Sequence, residues 1–315
     1  VPSLKAIRTR IVSVKSTEKI TRAIKMVAGA RLNRAQQRIV ALRPYAVKTG
    51  EILQSVAGSM GQATDSASQD GGSVYEGATP EDEDGPGHPL LERRPETNVL
   101  IILLSGDRGL CGAFNTNVNK ASEREWREKE GAGAAVQFAT IGRKGREYLA
   151  RRGGKLAKDF PKMYDGLDLE KGRMVSSWVV ARFLKKDFDS VYLVYNEFKS
   201  AITQRVSVER LLPLPEPPKT ETPPGTAPAA EFLFEPNPGA LLERLVPMYV
   251  EISLYRAMLE SQASFFGAQM TAMDAASRNA KDTIGRLTLA YNRARQAAIT
   301  KELMEIIGGA EALKE

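Results

Sequence analysis

From residue 3 to about residue 57 the chain holds only two glycines, Gly29 and Gly50, and one proline, Pro44. Few chains keep helix breakers out of so long a stretch. Apolar residues recur at Leu4, Ile7, Ile11 and Val14, in steps of three and four, and the seam is expected to shift phase and resume at Ile20, Ile24 and Val27. That spacing predicts one amphipathic helix over residues 1–57. At ~1.5 Å per residue it reaches about 80 Å, farther than one compact domain can cover. A second such run fills residues 239–315, with Pro247 near its start and no later proline. Its apolar seam reads Met248, Ile252, Tyr255, Leu259, Gln262, Phe266, Met270, Met273, Ser277, Ala280, Ile284, Leu287, Tyr291, Ala294 and Ala298. Steps of four and three alternate, apart from one extra four at Phe266–Met270. A mean spacing near 3.5 predicts a left-handed supercoil with a partner helix, locally unwound at the extra four. Each helix needs a cover for its seam, and the simplest cover is the other helix. The expected result is a coiled coil standing on the central domain like a handle. The alternative, two helices folded over that domain as ordinary core, demands breaks that neither run contains.

Between the helices the composition changes three times. Residues 58–97 are rich in Gly, Ser, Asp and Glu and poor in aliphatics. Such a stretch buries too little apolar surface to offset its ordering entropy, so an exposed acidic insert is expected. Residues 98–214 read as an α/β domain. Strands are expected at Asn98–Ser105, Val136–Ile141 and Ser190–Tyr195, with a further one through Ala201–Val208. Helices are expected at about 113–130, 143–152 and 168–186. The alternation predicts a mostly parallel, Rossmann-like sheet. Residues 215–238 form a Pro-rich linker, with a short strand expected at Phe232–Phe234.

Charge is segregated along the chain. Residues 1–50 carry twelve Lys/Arg against one acid, Glu18, a net +11, whereas residues 59–97 carry nine acids against two Arg, a net −7. A basic helix of this kind meets nucleic acid, an acidic membrane surface or an acidic protein. The longest apolar run, Val99–Leu104, has the length of a strand and falls far short of a membrane span. No secretory signal is expected at the N-terminus. One cysteine forms no internal disulfide, and one Cys with one His makes no ordinary zinc site, so a reducing compartment and no metal are expected.

Ser105-Gly106-Asp107-Arg108-Gly109-Leu110-Cys111-Gly112 follows an expected strand and precedes an expected helix, where α/β sheets bind ligands. It lacks the Gly-Lys-Ser/Thr of a Walker A loop, and its glycines at 106, 109 and 112 miss the G-x-G-x-x-G spacing. It is read as a structural turn built on Asp107, Arg108, Gly109, Cys111 and Gly112. Cys111 could be a thiol at a helix N-terminus, but the single His, His88, lies in the acidic insert, so no Cys–His pair is expected. Glu302 and Glu305 share one helix face without further metal ligands. No residue is assigned to catalysis, and no cofactor is expected.

Three separated segments carry a resemblance. They are Leu4–Gln37, with Lys19-Ile20-Thr21-Arg22-Ala23-Ile24-Lys25-Met26-Val27-Ala28 at its core, Ser105–Asn115, and Tyr291–Ala312. The third holds Tyr291-Asn292-Arg293-Ala294-Arg295-Gln296-Ala297-Ala298-Ile299-Thr300-Lys301-Glu302-Leu303 and then Glu305-Ile306-Ile307-Gly308-Gly309-Ala310. Together with Tyr195-Asn196-Glu197-Phe198, they resemble the gamma subunits of F-type ATP synthases, and the likeness fails only in the acidic insert and the Pro-rich stretch. It implies that the terminal helices form an antiparallel coiled coil inside a ring of three alpha and three beta subunits, with one copy of this chain. The α/β domain is then expected to sit on the epsilon subunit and the c-ring. The implied role is a proton-driven rotor shaft that is not an enzyme on its own. The implied location is the cytoplasmic face of a bacterial inner membrane, reached only through the complex.

Residue roles follow from the resemblance by position. Arg8, Lys15, Lys19, Arg22 and Lys25 are expected to face the acidic inner surface of the ring. Arg295, Gln296, Thr300 and Glu302 are expected to hydrogen-bond to loops of the beta subunits. Ile306, Ile307, Gly308, Gly309 and Ala310 are expected to form the tip in the upper bearing. The likeness departs at Ser264–Gln269, where the family commonly carries a polar residue such as Glu, and an Arg, so no charged contact is expected at Gln269. Two rival readings stand beside it. One is a stand-alone α/β enzyme using the 107–112 loop; the other is a coiled-coil scaffold or nucleic-acid tether.

Overall fold

The structure, a computed structural model, describes residues 3–67, 89–214 and 238–312. The strand expected at Phe232–Phe234, most of the acidic insert and most of the Pro-rich linker lie outside these residues. Ten elements follow in chain order: α1 (Leu4–Ala67), β1 (Asn98–Leu104), α2 (Phe114–Gly131), β2 (Ala135–Ile141), α3 (Arg143–Arg152), β3 (Leu156–Phe160), α4 (Leu169–Leu184), β4 (Ser190–Phe198), β5 (Gln204–Leu212) and α5 (Pro238–Ala312). The five strands lie in the order β3-β2-β1-β4-β5. Pairs β1–β2, β1–β4 and β2–β3 are parallel, and β4–β5 is an antiparallel hairpin closing one edge. A parallel sheet with one antiparallel edge is a familiar α/β arrangement, because each crossover needs a helix and a hairpin does not.

Strand β1 shows why this sheet is buried on both sides. Leu100, Ile102 and Leu104 point into one core with Val175, Val179 and Phe183 of α4 and Val246, Val250 and Leu254 of α5. Val99, Ile101 and Leu103 point the other way, to Val118 and Trp126 of α2 and Leu149 of α3. Side chains alternate along a strand, so an unbroken apolar run has to be covered on both faces. Asp168 caps α4, its Oδ1 accepting from the Lys171 amide at 3.0 Å.

The structure corrects several boundaries. Helix α1 runs to Ala67, ten residues into the stretch assigned to the acidic insert, whose first part (GSMGQATDSA) lacks proline and continues the turns already nucleated. Strand β3 stands where the sequence pattern predicts no strand. Its sequence, Leu-Ala-Lys-Asp-Phe, is short and lies at a sheet edge, and only Phe160 is fully buried, so it carries no apolar run to read. Helix α5 is more than a handle. Its first half is core: Leu242, Val246, Val250, Leu254, Ala257 and Met258 are buried against the sheet and α4. Only its second half leaves the domain, accompanied by α1.

The pairing of α1 with α5 is antiparallel. Lys25 meets Asp274, a Cβ at Gly29 would touch Met270, and one at Gly50 would touch Tyr249. As numbers rise along α1, they fall along α5.

Candidate partner interface

On α1 the seam does not shift phase. The covered positions run Leu4, Ile7, Ile11, Val14, Glu18, Thr21, Lys25, Ala28, Leu32, Ala35, Ile39 and Leu42, alternating three and four without a break. Of the three residues expected to carry the shifted seam, Ile20 and Val27 are 56% and 52% exposed and only Ile24 is partly buried. The continuity is hidden because three successive seam positions, Glu18, Thr21 and Lys25, are polar. Thr21 is buried, but its hydroxyl donates to the Glu18 carbonyl at 3.0 Å, so little is lost by burying it. Ile20, Met26 and Val27 are therefore apolar residues on the outside of the pair.

On α5 the seam holds. From Met273 onward, Ser277, Ala280, Ile284, Leu287, Tyr291, Ala294 and Ala298 are covered or half-covered at the expected spacing, and residues 299–309 are all exposed. The register explains the change. The contacts that pair residue 25 with 274 and 29 with 270 put Leu4 level with about residue 295. Helix α5 continues to Ala312, so seventeen residues, roughly 25 Å at 1.5 Å each, run beyond the start of α1. This overhang carries Ile299, Leu303, Met304, Ile306 (71% exposed) and Ile307 (52% exposed), which nothing among the described residues covers.

The expected contact residues fall into two groups. Arg8, Lys15, Lys19 and Arg22 are exposed along α1 and make no side-chain bond among the described residues. Lys25 differs in one respect: its ammonium is 2.5 Å from Asp274 Oδ1 across the helix pair, and its side chain stays 43% exposed. Arg295, Gln296, Thr300 and Glu302 are exposed on the overhang or at its root, and Gly308 and Gly309 lie exposed near its end. Ala310 lies in the last turns of α5. Helical spacing puts Arg295, Ile299, Glu302 and Ile306 on one stripe, and Gln296, Thr300 and Ile307 on the next.

The 105–112 loop is bonded inward. Ser105 Oγ accepts from the Gly145 amide at 2.7 Å. The Gly106 amide donates to Asn115 Oδ1 at 2.8 Å, and Asn115 Nδ2 donates to the Arg108 carbonyl at 3.1 Å. Asp107 Oδ1 accepts from the Arg143 amide at 3.0 Å, capping α3. A Cβ on Gly106 would lie 2.9 Å from the Phe265 ring, so glycine lets the loop press against α5. Cys111 is 2% exposed, and burial pushes its thiol up from the ordinary range, the reverse of what a nucleophile needs. The Gly106 amide is already taken, so the loop offers no open cradle for phosphate. Gly109 and Arg108 remain at the surface. Among the described residues no group of His, Cys, Asp or Glu could hold a metal, and no helix is long and apolar enough to cross a membrane.

Residues 3–313 match the family model described as ATP synthase. Over 322 residues the chain is 57% identical to the ATP synthase gamma chain of Sorangium cellulosum (strain So ce56), covering all of both chains. It is 44% identical to that of Geotalea uraniireducens (strain Rf4), covering 99% of each. A chain in the central stalk and c-ring of the Tetrahymena thermophila mitochondrial ATP synthase is similar at a TM-score of 0.55 and 21% identity, with 82% of this chain and 99% of that one covered. That likeness speaks to the fold, and the full-length identities speak to descent: the chain belongs to the ATP synthase gamma chain family.

Proposed function

We propose that this chain is the central-stalk rotor of a bacterial, proton-translocating F-type ATP synthase and does no bond chemistry itself. The observation that carries this reading is the bare overhang of α5, together with the uncovered apolar and basic residues of α1. A single helix of some seventeen residues with exposed Ile, Leu and Met is marginal in water. It calls for a sleeve, and a ring of three alpha and three beta subunits around one copy of this chain supplies one. In this reading Arg8, Lys15, Lys19, Arg22 and Lys25 face acidic walls of the ring, and Arg295, Gln296, Thr300 and Glu302 meet loops of the beta subunits. Ile306, Ile307, Gly308, Gly309 and Ala310 turn in the bearing.

The α/β domain rests on the epsilon subunit and the c-ring at the membrane's cytoplasmic face. Because the first half of α5 is part of the domain core, rotation of the domain is passed to the shaft without a joint. The shaft is asymmetric: one helix stops near the level of residue 295 and the other goes on. Each beta site therefore meets a different surface at each angle, and external work changes its affinity for nucleotide and phosphate.

The test is co-expression with matching alpha and beta subunits, followed by native mass and ATPase assays. A complex of three alpha, three beta and one copy of this chain is expected. Replacing Arg8, Lys15, Lys19 and Arg22 together and truncating from Arg295 should remove hydrolysis coupled to rotation. A chain that assembles with neither subunit, and instead binds DNA or RNA in a salt-dependent way, overturns the proposal.

A further inference from the structure

We propose that the cleft where the helix pair meets the α/β domain binds a nucleoside polyphosphate. Two adjoining cavities, of about 160 Å³ and about 260 Å³, open between α1, α5 and the loops that follow β1 and β3. They share Arg31, Tyr164, Asp165, Gln262 and Phe266 on their walls.

The first observation is a row of guanidinium groups, four against two carboxylates in the cleft. Arg31, Arg34 and Arg38 line the second cavity from α1, spaced three and four residues apart and so on one helix face. Arg108 lines the first cavity from the β1 loop. Arg38 Nη1 donates to the Leu167 carbonyl at 3.0 Å, which holds that side chain against the β3 loop. None of the four pairs with a carboxylate among the described residues. Two acids line the cleft. Asp107 already caps α3, and Asp165 alone has an uncommitted carboxylate. Like charges this close repel, and phosphate oxygens relieve the repulsion, because a guanidinium fork presents paired donors to them.

The second observation is a wall of aromatic rings beside that row. Phe114 and Phe265 meet edge-to-face with centroids 5.5 Å apart, Phe265 and Phe266 do so at 5.6 Å, and Arg31 lies over the Phe266 ring at 5.8 Å. Rings of this kind take a planar heterocycle against their faces or edges. Gln262 Nε2 is taken by the Tyr164 carbonyl at 3.2 Å, which leaves its Oε1 to accept from an amino group of a base. Aromatic rings, the Gln262 amide and the arginines thus line one cleft. The phosphates lie on the arginines, since the Gly106 amide is taken by Asn115. A ligand so placed ties α1 to the loops of the α/β domain at the root of the shaft.

The test uses the full chain, free of alpha and beta subunits, titrated calorimetrically with ADP, AMP and inorganic pyrophosphate. ADP is expected to bind with a Kd below about 1 mM, AMP about tenfold more weakly for want of the second phosphate, and pyrophosphate more weakly for want of the ring. Arg34→Ala, an exposed position, should weaken ADP about tenfold without moving the melting temperature of the free chain. Phe266→Leu should weaken ADP and leave pyrophosphate unchanged. Absence of ADP binding at several millimolar overturns the proposal. So does ADP affinity unchanged in Arg34→Ala, or pyrophosphate binding as tightly as ADP, which marks a general anion-attracting surface.

Discussion

Lys25 of α1 and Asp274 of α5 form an ion pair of 2.5 Å across the helix pair, and Arg278 approaches the second oxygen of the same carboxylate at 3.2 Å. The pair links two residues far apart in sequence at the level where the shaft leaves the α/β domain, and it fixes the register from which the overhang follows. The hydrogen bond from Lys25 is the largest influence holding the Asp274 carboxyl below its ordinary range. A carboxyl depressed on folding contributes stability above its ordinary pKa, and that contribution is lost as pH falls through the depressed value. Lys25→Met should therefore melt at lower temperature than the parent near neutrality, and the gap should close on acidification. Both side chains are partly exposed, so the loss is small. A gap independent of pH would mean that the pair does not hold the register.

Glu260 titrates in the opposite sense. Burial raises its carboxyl above the ordinary range, and one of its oxygens is buried without a partner. Arg256 opposes that rise, but its guanidinium already bonds Glu209 at 2.9 Å, and Glu197 and Glu209 add repulsion. A folded state that holds the proton more tightly than the unfolded chain loses stability as pH rises from the ordinary carboxyl value to the raised one. Glu260→Gln should remove that slope and raise the melting temperature at pH 7. Thermal melts of both proteins across pH 4–8 check it, and parallel curves would count against it.

Thr21 and Ile20 separate the inside of the shaft from its outside. Thr21→Val keeps the shape and deletes a buried hydroxyl, so it should be neutral or stabilising by up to about 1 kcal/mol. Ile20→Ser removes an exposed side chain and should leave the free chain within about 0.5 kcal/mol, while lowering assembly or ATPase activity in the complex. Destabilisation of the free chain by Ile20→Ser would restore the phase-shifted seam.

Gly142 has φ +100, and a Cβ there would stand 2.0 Å from the Ser105 carbonyl oxygen. Gly142→Ala has to move the backbone at the end of β2, and the expected cost is at least about 1–3 kcal/mol. Urea unfolding of the full chain measures it; a change under about 0.5 kcal/mol would show that the loop shifts freely.

Truncation after Ala298 tests the overhang. Residues 299–309 are exposed, so the melting temperature of the free chain should hardly move. In the complex with alpha and beta subunits, torque or coupled hydrolysis should fall. Gly309→Trp should also reduce torque, and unchanged torque would argue against a bearing at that position.

Much of this architecture is legible in the chain itself, because it is written in local period. The three-four spacing from Met273 to Ala298, the unbroken apolar run of β1 and the absence of proline after Pro247 each act through near neighbours. What failed was also local in cause. Thr21 and Glu18 sit in a seam that a search for apolar residues passes over, and β3 is an edge strand with two charged residues in five. The ion pair of Lys25 is illegible for a different reason: its partner lies 249 residues away, and no pattern along the sequence marks Asp274.

The sequence by itself determined that two long helices flank a parallel α/β sheet, since helix and strand periods and the placing of breakers are properties of short windows. Only the tertiary structure decided that the first half of α5 is core, that Lys25 pairs with Asp274, that α5 outruns α1, and that Arg31, Arg34, Arg38 and Arg108 line one cleft. Those facts depend on which distant segments meet and in what register, and register is set by the sum of contacts along the whole helix pair.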